Sequence, residues 1–127
     1  MAVDLAMPIL VVDDYRTMLQ ITCEVLGQLG FLEVDEACDV AAAVQMSRGK
    51  SYRLVICDWL MEPLTGLDFL REVRATPGEA DTRFLMVSAE AKPDRIAAAK
   101  SAGADAYLVK PFRAPALKTT IFDIFGA

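Results

Sequence analysis

The 127 residues suffice for one hydrophobic core, and a 54% hydrophobic composition supplies the material for it. Thirteen basic against eighteen acidic side chains leave a net charge of −5, which argues against the basic footprint of a nucleic-acid or anionic-membrane binder. Histidine is absent, so serine–histidine triads, imidazole metal ligation and phosphohistidine chemistry on this chain are excluded together.

Residues 1–7 carry neither a basic region nor a long apolar stretch, and no run of eighteen apolar residues occurs, so neither a secretion signal nor a membrane span is expected. The first strand is read at 9–12, ending on Asp13 and Asp14. A helix follows with Met18, Ile21, Val25 and Leu29 on one face, closed by Gly30. A second strand is read at 32–34, and 47–51 as a break. The third strand, 54–57, ends on Asp58, and Leu67, Leu70 and Val73 then share a helical face. After a break at 76–81 the fourth strand, 84–87, ends on Ser88. Ile96, Ala99 and Lys100 keep the helical period until Gly103 interrupts it. The fifth strand, 107–109, ends on Lys110 and Pro111, and Leu117, Ile121 and Ile124 form the last helical face.

A βα unit thus repeats five times. Strands apolar on both faces that alternate with helices predict a doubly wound α/β fold: a five-stranded parallel sheet covered by helices on both sides, with right-handed crossovers. The five units occupy 1–127, so one domain without an output domain is expected. Cys23, Cys38 and Cys57 are odd in number, sit in apolar runs and lack C-x-x-C spacing, which predicts reduced core residues in a cytoplasmic protein.

The polar residues at the strand ends carry the chemistry. Parallel strands bring their carboxyl ends to one edge, where ligands of doubly wound sheets bind, so Asp13, Asp14, Asp58, Ser88 and Lys110 converge. Three clustered carboxylates raise one another's pKa, and a cation resolves the conflict. Magnesium suits the set, because it takes hard oxygen ligands and commonly works with one or two carboxylates plus a phosphate. Lys110 offers a point charge for phosphoryl oxygens and Ser88 a hydrogen bond, so the group fits phosphoryl transfer to a carboxylate. Read singly, Asp14 serves as well to cap the first helix, Ser88 to shape a turn and Lys110 to stand in solvent. Their joint placement at four of five strand ends is what favours a site.

Val-Val-Asp-Asp at 11–14, Asp-Trp-Leu-Met-Glu-Pro-Leu-Thr-Gly at 58–66, Ser88-Ala89 and Tyr-Leu-Val-Lys-Pro-Phe at 107–112 resemble, in order and spacing, response-regulator receiver domains of the stand-alone kind. The resemblance spans essentially the whole chain. It implies strand order 2-1-3-4-5, Asp58 as phosphoacceptor, and a magnesium site in which Asp14 and Asp58 ligate directly, Asp13 acts mainly through water, and the Leu60 backbone carbonyl adds a ligand. It further implies Ser88 and Lys110 as phosphoryl-binding residues, a cis Lys110–Pro111 bond, and Tyr107 as an aromatic switch that turns inward as Ser88 moves toward the phosphate. A plainer reading leaves Tyr107 as an edge aromatic packed on the last helix. The phosphoryl group would come from a sensor histidine kinase, a histidine phosphotransfer protein or a small acyl phosphate, and be slowly hydrolysed. Output would be binding to a protein target through the fourth helix, last strand and last helix, roughly 92–125.

This chain departs from the family pattern in three places. Glu62 separates Met61 from Pro63 where Met-Pro is commonly adjacent, and Ser88 stands where threonine is also common. Leu60 is apolar two residues past Asp58, near the path expected for a hydrolytic water; with Glu90 it is predicted to set the lifetime of the phosphorylated state.

Three other function classes bear comparison. An aspartate-nucleophile phosphatase of haloacid-dehalogenase type needs an acid at position 60, which is Leu60. A flavodoxin-like FMN module needs a hydroxyl- and glycine-rich loop where Asp13-Asp14-Tyr15-Arg16-Thr17 stands. A receiver that binds partners without phosphorylation stays open. Gly49-Lys50-Ser51 imitates the end of a Walker loop, but Val44 replaces its earlier glycine. Met18 and Phe69 are read as core, and Ile121, Phe122, Ile124 and Phe125 as core with apolar surface to spare.

Overall fold

The computed structural model describes residues 3–79 and 81–126, so residue 80 of the predicted break at 76–81 lies outside the described residues. Five strands, β1 (Ile9–Val12), β2 (Val34–Ala37), β3 (Leu54–Asp58), β4 (Arg83–Ser88) and β5 (Ala106–Val109), alternate with α1 (Arg16–Gln28), α2 (Val40–Gly49), α3 (Gly66–Ala75), α4 (Pro93–Ser101) and α5 (Ala114–Ile124). The sheet is parallel throughout in the order β2-β1-β3-β4-β5.

Alternation along the strands sorts the core into two layers. Leu10, Val12, Val55, Cys57, Phe84 and Met86 meet Val40 and Ala43 of α2, Phe69, Leu70 and Val73 of α3, and Ala99 of α4. The intervening residues, Ile9, Val11, Leu54, Ile56, Leu85 and Val87, meet Leu19 and Leu26 of α1 and Leu117 and Ile121 of α5. Both sides of the three central strands are therefore dry, which is why they read as continuous apolar runs.

The edges explain where the structure departs from expectation. β2 runs 34–37 and not 32–34: Leu32 is 82% exposed and its N–H bonds to the Leu5 carbonyl outside the sheet. An edge strand paired only with β1 tolerates Asp35 and Glu36, so an apolar run was the wrong signal there. On α1 the buried residues are Leu19, Thr22 and Leu26, while Ile21 of the predicted face is 43% exposed. Thr22 can be buried because its hydroxyl donates to the Met18 carbonyl at 2.9 Å, an option that counting apolar residues ignores. The predicted break at 47–51 begins too early, because α2 continues to Gly49, started by an Asp39 cap that accepts from the Ala42 N–H. Lys100 is exposed, and only Ala99 of α4 is buried.

All three cysteines are free thiols, Cys57 buried and the other two half-buried. Among the described residues no helix is long and apolar enough to cross a membrane.

Candidate functional site

Backbone pairing carries the sheet one residue past the first strand and thereby gathers the site. The Asp13 N–H bonds to the Ala37 carbonyl at 3.1 Å, the Trp59 N–H to Val87 at 2.9 Å, and the Lys110 N–H to Ser88 at 2.8 Å. Val12 pairs with Cys57, so Asp13 and Asp58 leave adjacent strands side by side. Asp58 and Ser88 are the last residues of β3 and β4.

Asp13, Asp58 and Ser88 are buried and Asp14 is exposed. Asp13, Asp14 and Asp58 each present a carboxylate oxygen to a common point, all three lying within 4.8 Å of one another. Lys110 Nζ stands 3.1 Å from Asp13 Oδ2 and 3.3 Å from Asp58 Oδ1. The second Asp13 oxygen accepts from the Tyr15 N–H at 3.0 Å and turns the chain toward α1. Tyr15, without a side-chain cap, is the residue that precedes α1, so Asp14 is spared capping and stands free at the site.

Burial pushes the Asp58 carboxyl above its ordinary range; Asp13 and Asp14 push the same way and Lys110 opposes them. Three carboxylates against one ammonium leave the cluster short of positive charge. Hard oxygens at this spacing, one side open to solvent, are the donor set a magnesium ion takes.

Ser88 is fully buried, and its Oγ accepts from the Glu90 N–H at 3.1 Å. The Tyr107 hydroxyl donates to the Glu90 carbonyl at 2.6 Å, and its ring meets Trp59 edge-on at 6.4 Å. Tyr107 therefore belongs to the layer beneath α3 and α4, and does not pack on α5 as its plainer reading supposed. The Glu90 carboxylate lies 4.0 Å from Lys92. Leu60 is 48% exposed in the loop that leaves β3.

Glycine is required at the end of that loop. A Cβ on Gly66 would overlap the Asp58 carbonyl oxygen and lie 2.9 Å from Trp59 Cα, and the Gly66 N–H bonds to the Trp59 carbonyl at 2.9 Å. The first turn of α3 thus rests directly on the main chain of Asp58, secured by the Thr65–Asp68 capping box. Lys110–Pro111 is cis as expected, and so is Glu62–Pro63, at the point where the loop departs from the family pattern.

Sequence reasoning missed Arg95. Its guanidinium lies over the Trp59 ring, 5.1 Å from the centroid, beside a cavity of about 520 Å³ that Asp14 also lines. Nothing in its spacing distinguished it from a solvated charge. Lys50 of the Walker-like triplet is held by Glu33 at 3.0 Å and Asp35 at 2.8 Å, on the flank of β2 and not at the strand ends.

Comparison with known proteins identifies the family. The family model described as response regulator receiver domain matches residues 9–122. The chain is 44% identical over 119 residues to the chemotaxis protein CheY of Pseudomonas aeruginosa, covering 94% of this chain and 96% of that one. It is 40% identical over 119 residues to the chemotaxis protein CheY-3 of Vibrio cholerae, covering 94% and 92%. Among solved structures, the Vibrio cholerae chemotaxis response regulator CheY4 superposes with a TM-score of 0.88 at 29% identity, over 94% of this chain and 98% of that one.

Proposed function

The chain belongs to the response regulator receiver domain family of two-component signalling, and from that premise we propose that it is a phosphoacceptor switch whose phosphorylated residue is Asp58. One observation carries the reading: a buried Asp58 carboxylate, 3.3 Å from the Lys110 ammonium, shares its strand-end edge with Asp13, Asp14 and Ser88.

In this reading the donor is the phosphohistidine of a sensor histidine kinase or a histidine phosphotransfer protein. An Asp58 carboxylate oxygen attacks phosphorus, the phosphorus–nitrogen bond breaks, and its electron pair returns to the donor's imidazole. Asp13, Asp14, Asp58 and the Leu60 carbonyl are the groups that would hold magnesium, which when bound would neutralise phosphoryl and carboxylate charge. Lys110 and the Ser88 hydroxyl bind phosphoryl oxygens. Ser88 Oγ accepts from the Glu90 N–H and keeps its own hydrogen to donate, so a Ser88 side chain that turns toward the phosphoryl group disturbs its contact with Glu90, and Tyr107 is tied to the same residue through its carbonyl. Phosphorylation thereby reaches the start of α4, and the surface of α4, β5 and α5 is the output face toward a protein target. Slow hydrolysis by water resets the switch, at a rate set by Leu60 and Glu90.

Trp59 adjoins Asp58 and provides the test. Titration with magnesium and then beryllofluoride or acetyl phosphate is expected to change its fluorescence, with a phosphoryl mass on Asp58 in the last case. No fluorescence response together with an unmodified Asp58 overturns the reading.

A further inference from the structure

The cavity beside the carboxylates is lined by Asp14, Trp59, Leu60, Glu62, Thr65 and Arg95 among others, and Arg95 is the single cation in that lining. Among the described residues no carboxylate forms an ion pair with Arg95; its guanidinium is steadied by the Trp59 indole face instead. Stacking of this kind fixes the plane of the fork while leaving its N–H donors directed elsewhere. Asp58 itself is only 6% exposed and does not line the cavity, but its cluster partner Asp14 and the adjoining Trp59 and Leu60 do, so the cavity borders the end of β3 that carries the phosphoacceptor.

We propose that Arg95 is a specificity-determining residue for the phosphodonor, binding the leaving group of acyl phosphates. This rests on the phosphoacceptor reading of Asp58. When an Asp58 oxygen attacks an acyl phosphate, the phosphorus–oxygen bond to the acyl group breaks and its electron pair departs on a carboxylate. That group gains a full negative charge as the bond breaks, and a guanidinium at the cavity matches a carboxylate with two parallel N–H donors. A phosphoramidate leaves as neutral ammonia once its nitrogen is protonated and gains nothing from the same cation. Asp14 and Glu62 line the same cavity and oppose an anionic leaving group, so Arg95 decides the balance.

The experiment compares initial rates of Asp58 phosphorylation by acetyl phosphate and by phosphoramidate, read by intact mass in saturating magnesium. Arg95→Ala and Arg95→Gln are expected to slow the acetyl phosphate reaction about two- to fivefold, the range for a partly exposed ion pair, and to leave the phosphoramidate rate unchanged. Arg95→Lys restores part of the loss, and Glu62→Gln shifts the ratio of rates toward acetyl phosphate. Equal effects on both donors, or none on either, overturn the proposal. Absence of phosphorylation of the unmodified chain by either donor would instead refute the phosphoacceptor reading itself.

Discussion

Lys110 Nζ sits 3.3 Å from Asp58 Oδ1, and one ammonium shared with Asp13 leaves the Asp58 charge undercompensated. The folded state therefore holds this carboxyl's pKa above its unfolded value, chiefly by burial. A raised carboxyl pKa means that the folded chain binds the proton more tightly, so stability falls as pH rises from the ordinary carboxylate value through the raised one. Above that window the penalty is complete. Asp58→Asn removes it, and chemical denaturation in chelator should find the variant more stable than the parent at pH 7.5, with the difference shrinking in acid. Magnesium should stabilise the parent and do much less for the variant.

Gly66→Ala places a methyl group where the Asp58 carbonyl already lies. Backbone cannot yield as a flexible side chain does, so a loss of about 1–3 kcal/mol in urea unfolding is expected. The same substitution should blunt the magnesium response of Trp59 fluorescence, because the displaced main chain is that of the site.

Tyr107→Phe deletes the 2.6 Å hydrogen bond to the Glu90 carbonyl and keeps the ring on Trp59. A loss of about 0.5–1.5 kcal/mol is expected. Amide exchange should speed up locally at the start of α4 and leave the central strands protected.

Hydrogen bonds from Lys50 and Tyr52 hold the Asp35 carboxyl below its ordinary range. A depressed carboxyl pKa contributes stability that is present above the unfolded value and lost as pH falls through the folded one. Asp35→Asn should therefore destabilise the chain at pH 7 and converge on the parent in acid, as thermal melts across pH would show. Equal melting shifts at both ends of the range would count against the assignment.

Leu60→Asn introduces an amide able to hold water beside Asp58, and the first-order decay of the aspartyl phosphate is expected to quicken severalfold. Glu90→Ala should also change that decay by removing a charge near Lys92. Unchanged decay in both variants would show that these side chains do not govern the lifetime.

The convergence of the candidate site residues was legible because they end apolar runs: Asp13, Asp58 and Ser88 close strands buried on both faces, Lys110 follows the apolar edge strand β5, and parallel pairing does the rest. The same rule failed for β2, where Asp35 and Glu36 stand in an edge strand and the apolar Leu32 lies outside the sheet. Thr22 misled the reading of α1 because a threonine that bonds to its own helix behaves as core. Gly66 was visible as part of a motif, but its reason, contact with the Asp58 main chain, exists only once α3 is docked. Arg95 and Arg74 could not be singled out, since their partners are the distant Trp59 in one case and Thr82, Gly103 and Asp105 in the other.

Arg74 gives α4 an asymmetry of attachment. It grips the Gly103 carbonyl by two N–H groups at the carboxyl end of that helix, while the other end is held by one tyrosine hydroxyl and one stacked guanidinium. Between these ends α4 buries a single alanine. Hydrophobic cohesion scales with the apolar area taken out of water, so re-seating this helix costs little while the sheet beneath stays intact. The molecule behaves as a stiff platform carrying one loosely fastened lever, pinned far from Asp58 and released close to it.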